Sequence, residues 1–83
     1  MNDKIPYRTL RKILLDLGFA EKVVDSKYSY FEHPPSGTIL VYRIYKPAEN
    51  ISWHDHVTTR RLLDERGVLE ADNFEALAHQ APV

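Results

Sequence analysis

Hydrophobic positions follow helical spacing at the start of the chain, alternate in its middle, and return to helical spacing after residue 52. Leu10, Ile13, Leu14 and Leu17 stand at i, i+3, i+4 and i+7, with Arg8, Arg11, Lys12 and Asp16 mostly on the other side. This pattern predicts an amphipathic helix over residues 6–17. Pro6 suits the first helical turn, where a missing N–H costs nothing. Gly18 suits a left-handed position after the last turn, letting Phe19 fold back onto it.

The period then shortens to two. Residues 20–26 predict a short strand ending at the turn-like Asp25-Ser26. Over residues 28–33, Tyr28 and Tyr30 share one face while Ser29 and Phe31 take the other. His33-Pro34-Pro35-Ser36-Gly37 is the hairpin connection, because two prolines and a glycine cannot continue a ladder. Thr38 to Tyr45 is the strongest strand, and its nearly continuous apolarity predicts the central place in a small antiparallel sheet. Ser52 with Asp55 resembles a capping box and opens a second helix, whose short apolar face centres on Leu62 and Leu63. Gly67 stops it, and Val68 and Leu69 dock behind the stop. Asp72 or Asn73 then caps a short helix carrying Phe74, Leu77 and Ala78. The expected class is therefore α+β. The order is α-β-β-β-α with a three-stranded antiparallel sheet, both main helices on one sheet face, and a short C-terminal helix. One domain spans 1–83, with a core over 5–69, an appended helix over 70–80 and a frayed tail over 81–83.

Eighty-three residues give a thin core. The absence of cysteine rules out disulfides and thiolate metal sites as supports. No apolar run approaches the roughly 20 residues a membrane helix needs, and the start Met1-Asn2-Asp3-Lys4 lacks a signal-peptide core. A cytoplasmic protein with no membrane contact is expected. The net charge of −1 is unevenly spread. Residues 1–46 hold eight Lys/Arg against five Asp/Glu, and residues 47–83 hold three against seven. Nucleic-acid binders draw most of their affinity from phosphate neutralisation, so any such surface belongs to the first half.

The first helix ends Leu14-Leu15-Asp16-Leu17-Gly18-Phe19, and a Phe31-x-His33-Pro34 tip is followed by a glycine and a hydrophobic strand. Over residues 5–69 this combination resembles the HicA family, the toxins of bacterial toxin–antitoxin pairs. The resemblance implies a fold similar to the double-stranded-RNA-binding domain, an RNA-cleaving activity and an antitoxin-like protein partner. The activity of that family is associated with a Gly-Ser-His motif at the start of the second strand. Aligned on the tip, Ser26, Lys27 and Tyr28 stand at those three positions, so a tyrosine replaces the catalytic histidine. Tyrosine, with an ordinary pKa of about 10, is a poor base at neutral pH. The expectation is a HicA-like binding module for RNA or an antitoxin-like protein, without ribonuclease activity. An RNA-cleaving toxin using displaced groups such as His33, and a small interaction or oligomerisation domain, are the alternatives.

The expected RNA-facing residues are Arg8, Arg11, Lys12, Lys27, Tyr28 and Arg43, with Tyr28 stacking on an unpaired base. His33 is the weak catalytic candidate and more often a turn residue. His54 and His56 diverge at i, i+2 on a helix, so they read as partly exposed polar residues, with no metal site. Trp53 reads as a packing anchor. Arg60 and Arg61 read as solvated or ion-paired, and Tyr28, Tyr30, Tyr42 and Tyr45 as core and edge packing. No cofactor is implied. Strand tyrosines over a thin core also predict a homodimer or partner contact at the sheet.

Overall fold

The computed structural model describes residues 4–79, and the tail expected over 81–83 lies outside them. Its elements are α1 (Tyr7–Asp16), β1 (Ala20–Val23), β2 (Tyr28–His33), β3 (Thr38–Arg43), α2 (Trp53–Glu65) and α3 (Ala71–Ala78). The class is α+β in the expected order: one helix, a three-stranded antiparallel sheet, then two helices along the chain.

Alternation in the strands sets the architecture. Ser29 and Phe31 of β2 and Thr38, Leu40 and Tyr42 of β3 are buried, while their neighbours Tyr28, Ile39, Val41 and Arg43 are exposed. α1 and α2 lie against the buried side. Tyr7 reaches Glu21 of β1, and Tyr42 of β3 hydrogen-bonds with Thr59 of α2 at 2.6 Å. Burial pushes the Tyr42 phenol well above its ordinary pKa, so this hydroxyl stays neutral. The strands run in the order β1-β2-β3, which makes β2 central and β3 an edge. This corrects the central place expected for the third strand. Its apolar run is not buried on both faces: Ile39 is 52% exposed and Val41 62%. β1 and β3 are also shorter than the expected 20–26 and 38–45. Asp25 Oδ1 accepts from the N–H groups of Lys27 and Tyr28, turning the chain after β1.

Both main helices end in the same way. Gly18, at φ 99°, donates to Leu15, and Phe19 donates back to Leu14. Gly67, at φ 69°, donates to Asp64, and Val68 donates to Leu63. Each closure satisfies two carbonyls the helix would leave open and turns an apolar residue inward. Their beginnings differ. No side chain caps α1. Instead the 46–51 loop folds over its start, where Pro47 and Glu49 carbonyls accept from Arg8 and Tyr7. At α2, Ser52 Oγ accepts from the Asp55 N–H, as a capping box requires. The reciprocal bond runs through a third residue: the Ser52 N–H donates to Tyr45 Oη, and that hydroxyl donates to Asp55.

The buried stripe of α2 is His56, Thr59 and Leu63, two of them polar. His56 is 2% exposed, where a partly exposed residue was expected, and Trp53 is 61% exposed, where an anchor was expected. α3 starts at Ala71 with Glu70 as its N-cap, ahead of Asp72 and Asn73. It buries Phe74 and Ala78 but leaves Leu77 exposed. α3 touches both α1 and α2, and Phe74 is fully buried in the single core cluster with Leu10, Leu14, Phe31 and Leu63. Phe74→Ala should therefore cost about 3–5 kcal/mol, measured by urea unfolding. A cost below about 1 kcal/mol would make α3 a mere appendage of the fold.

Candidate functional site

The sheet face turned away from the helices carries three cross-strand rows. Tyr28 pairs with Arg43, Lys22 and Val41 flank Tyr30, and Ala20 and Ile39 flank Glu32. Tyr28 is 52% exposed and Tyr30 is half-buried. Each tyrosine thus has a cation directly opposite, and Lys27 immediately precedes Tyr28. Of the four tyrosines expected as packing residues, Tyr42 and Tyr45 are buried and Tyr28 is not. Lys22 was missed by sequence reasoning, because only the register of β1 against β2 puts it beside Tyr30.

The expected RNA-facing residues fall into two groups. Tyr28 and Arg43 meet on this open face. Arg8, Arg11 and Lys12 belong to α1, which packs on the opposite side of the sheet. Several of these cations are already engaged. Arg11 pairs with Glu21 at 2.8 Å and Lys12 with Asp16 at 2.8 Å. Arg43 pairs with Glu49 at 2.8 Å and lies 3.9 Å over the Tyr45 ring. The Arg43 hydrogen bond holds the Glu49 carboxyl below its usual range. Of the cations expected to face RNA, Arg8 and Lys27 have no ion pair among the described residues, and neither has Lys22. The start of α1 is not an anion site, since its first N–H groups already donate to the 46–51 loop.

His33 is on the other side from Tyr28. It alternates with Phe31 onto the helix-facing side, tilts against the Phe19 ring at 4.9 Å, and packs over Gly18. Its Nδ1 lies 2.7 Å from Ser36 Oγ, which also bonds with Thr38 Oγ1 at 2.7 Å. These contacts tie down the β2–β3 turn. A general acid–base pair must reach one reacting group, and the sheet itself separates His33 from Tyr28.

A second polar cluster joins α2 to α3. His56 Nε2 lies 2.6 Å from Glu75 Oε1, Arg60 Nη1 lies 2.8 Å from the same oxygen, and His79 Nε2 lies 3.1 Å from Oε2. Arg61 pairs only loosely with Glu65, at 3.9 Å. His54 is exposed and takes no part. Among the described residues, His56, Glu75 and His79 are the group whose ligand atoms could hold a metal. Nothing in the local sequence announced it, because His56 and Glu75 are 19 residues apart.

No protein-family model, curated protein or solved structure matches the chain.

Partial burial would raise the Glu75 carboxyl, but the hydrogen bonds from His56 and Arg60 outweigh it, and the group titrates below its usual range. A depressed folded-state pKa stabilises the protein above the unfolded value of about 4.3, and the gain disappears as pH falls through the folded value. Glu75→Gln should accordingly destabilise at pH 7 and cost progressively less below about pH 4. Urea midpoints of both proteins across that range check this; an equal loss at every pH would remove the ionic account.

Proposed function

We propose that this domain is a HicA-like binding module that holds single-stranded RNA on its open sheet face and does not cleave it. The observation that carries the reading is the pairing of Tyr28 with Arg43 and of Tyr30 with Lys22 on one uncovered surface. Aromatic rings offer stacking to any base, and neighbouring cations attract the phosphates between bases. Lys22, which has no ion pair, supplies this attraction more readily than Arg43, which Glu49 already neutralises. The overall charge of −1 makes the attraction local and strongly screened by salt.

The absence of cleavage follows from the chemistry of the face. It presents tyrosine, lysine, arginine and one carboxylate, Glu32, but no imidazole to act as the second acid–base group, and His33 projects from the other side. A protein of this kind acts by occupying RNA, or by being held through an antitoxin-like partner. Ile39 and Val41 favour a second reading, in which another copy of the chain covers the same face.

Titration of a labelled, unstructured RNA at two salt concentrations tests the proposal. Binding should be weak and should fade with salt. Tyr28→Ala should weaken it by roughly 1–3 kcal/mol, and Lys22→Glu should weaken it and flatten the salt dependence. Lys12→Glu, on the far side, should matter less, and the RNA should remain intact. Absence of binding at low salt would overturn the proposal. Concentration-dependent association abolished by Val41→Glu would then establish the second reading.

A further inference from the structure

We propose that His56, Glu75 and His79 form a binding site for a zinc-type divalent cation, bridging α2 and α3. Their ligand atoms lie within 4.8 Å of one another. Two imidazole nitrogens and one carboxylate make the mixed N/O set that zinc accepts, with a fourth position left for water. The same set disfavours magnesium and calcium, which take oxygen ligands.

The cluster is within a small side-chain adjustment of what such an ion needs, its ligand atoms all lying within 4.8 Å of one another. With metal–ligand bonds of roughly 2.0–2.1 Å, tetrahedral ligand atoms stand a little over 3 Å apart. His79 Nε2 is 3.1 Å from Glu75 Oε2 and His56 Nε2 is 2.6 Å from Oε1, so the two imidazoles now meet different oxygens of one carboxylate, and His79 must move inward for one ion to meet all three ligands. The most constrained ligand is the most buried. The His56 side chain is 3% exposed, and its ring is held between Trp53 at 5.1 Å and Phe74 at 5.9 Å. Trp53, exposed and without a packing role in the core, covers the edge of this imidazole. Glu75 and His79 are four residues apart on α3 and so project from one side of it. The His79 side chain is 33% exposed, which leaves it free to adjust and leaves a route for the ion.

Binding takes the lone pair of each Nε2, so each neutral imidazole keeps its proton on Nδ1 and no longer donates to Glu75. Arg60 is the competitor. Its Nη1 lies 2.8 Å from Glu75 Oε1 and supplies the positive charge there now. The arginine side chain is 31% exposed and can turn outward when a divalent ion replaces it.

The test is titration of the full chain, freed of metal, with Zn²⁺ and separately with Co²⁺. Thermal melting and the visible absorption of Co²⁺ are the readouts. One ion per chain should bind, raise the melting temperature in a saturable way, and give the absorption of a four-coordinate cobalt centre. His79→Ala and Glu75→Gln should each lose both signals, while His33→Ala and His54→Ala keep them. Arg60→Gln should bind the ion more tightly than the unaltered chain. Absence of any shift or spectrum overturns the proposal. So does binding that survives in His79→Ala, that is lost in His33→Ala or His54→Ala, or that Arg60→Gln leaves no tighter.

Discussion

A sheet with helices on only one side must have two chemically different faces, and almost everything else in this molecule follows from that division. Phe31, Leu40 and Tyr42 face the helices and join Leu10, Leu14, Leu63 and Phe74 in one core. Their immediate neighbours in sequence necessarily project the opposite way. The open face is therefore a product of the core, and a one-residue slip of register would exchange the two sets. The hydrogen-bonded turn of His33, Ser36 and Thr38 guards against such a slip, since the β2–β3 register runs directly out of it.

The same division explains which features could be read from residue order. α1 was legible because Leu10, Ile13 and Leu14 form an uninterrupted stripe and Gly18 ends it. The three strands were legible from turn residues and alternation. The position of β3 was not: an apolar run looks the same whether its second face is covered by protein or open to solvent. Ile39 and Val41 are of the latter kind. α2 misled for the opposite reason. Its inward positions are His56 and Thr59, which pattern reasoning assigns to water. They are buried because each found a partner elsewhere, Glu75 for one and Tyr42 for the other. Trp53 was expected as a packing anchor, yet it stands exposed in the first turn of α2. Polar burial depends on pairings between distant residues, and no local spacing records those.

Electrostatic reading of the sequence was incomplete in a similar way. The basic excess of the first half is real, but the fold spends part of it internally. Arg11, Lys12 and Arg43 each meet an acid, and the start of α1 is occupied by the backbone of the 46–51 loop. What remains for an outside ligand is smaller and differently placed than the charge count implied. Lys22 stands beside Tyr30 and Lys27 precedes Tyr28 in the turn before β2, whereas Arg8 lies on the helix side. A count of charges measures long-range attraction; the pairing of those charges decides where it acts.

The dependence of the core on Phe74 also decides what a shortened chain would expose. The sheet and first two helices cannot close this interior without α3. In its absence, Leu10, Leu14 and Leu63 lack one of their covering side chains, and His56 lacks Glu75. A chain truncated just short of α3 would therefore expose apolar surface on both sides of its sheet at once, Ile39 and Val41 on one and the uncovered core on the other.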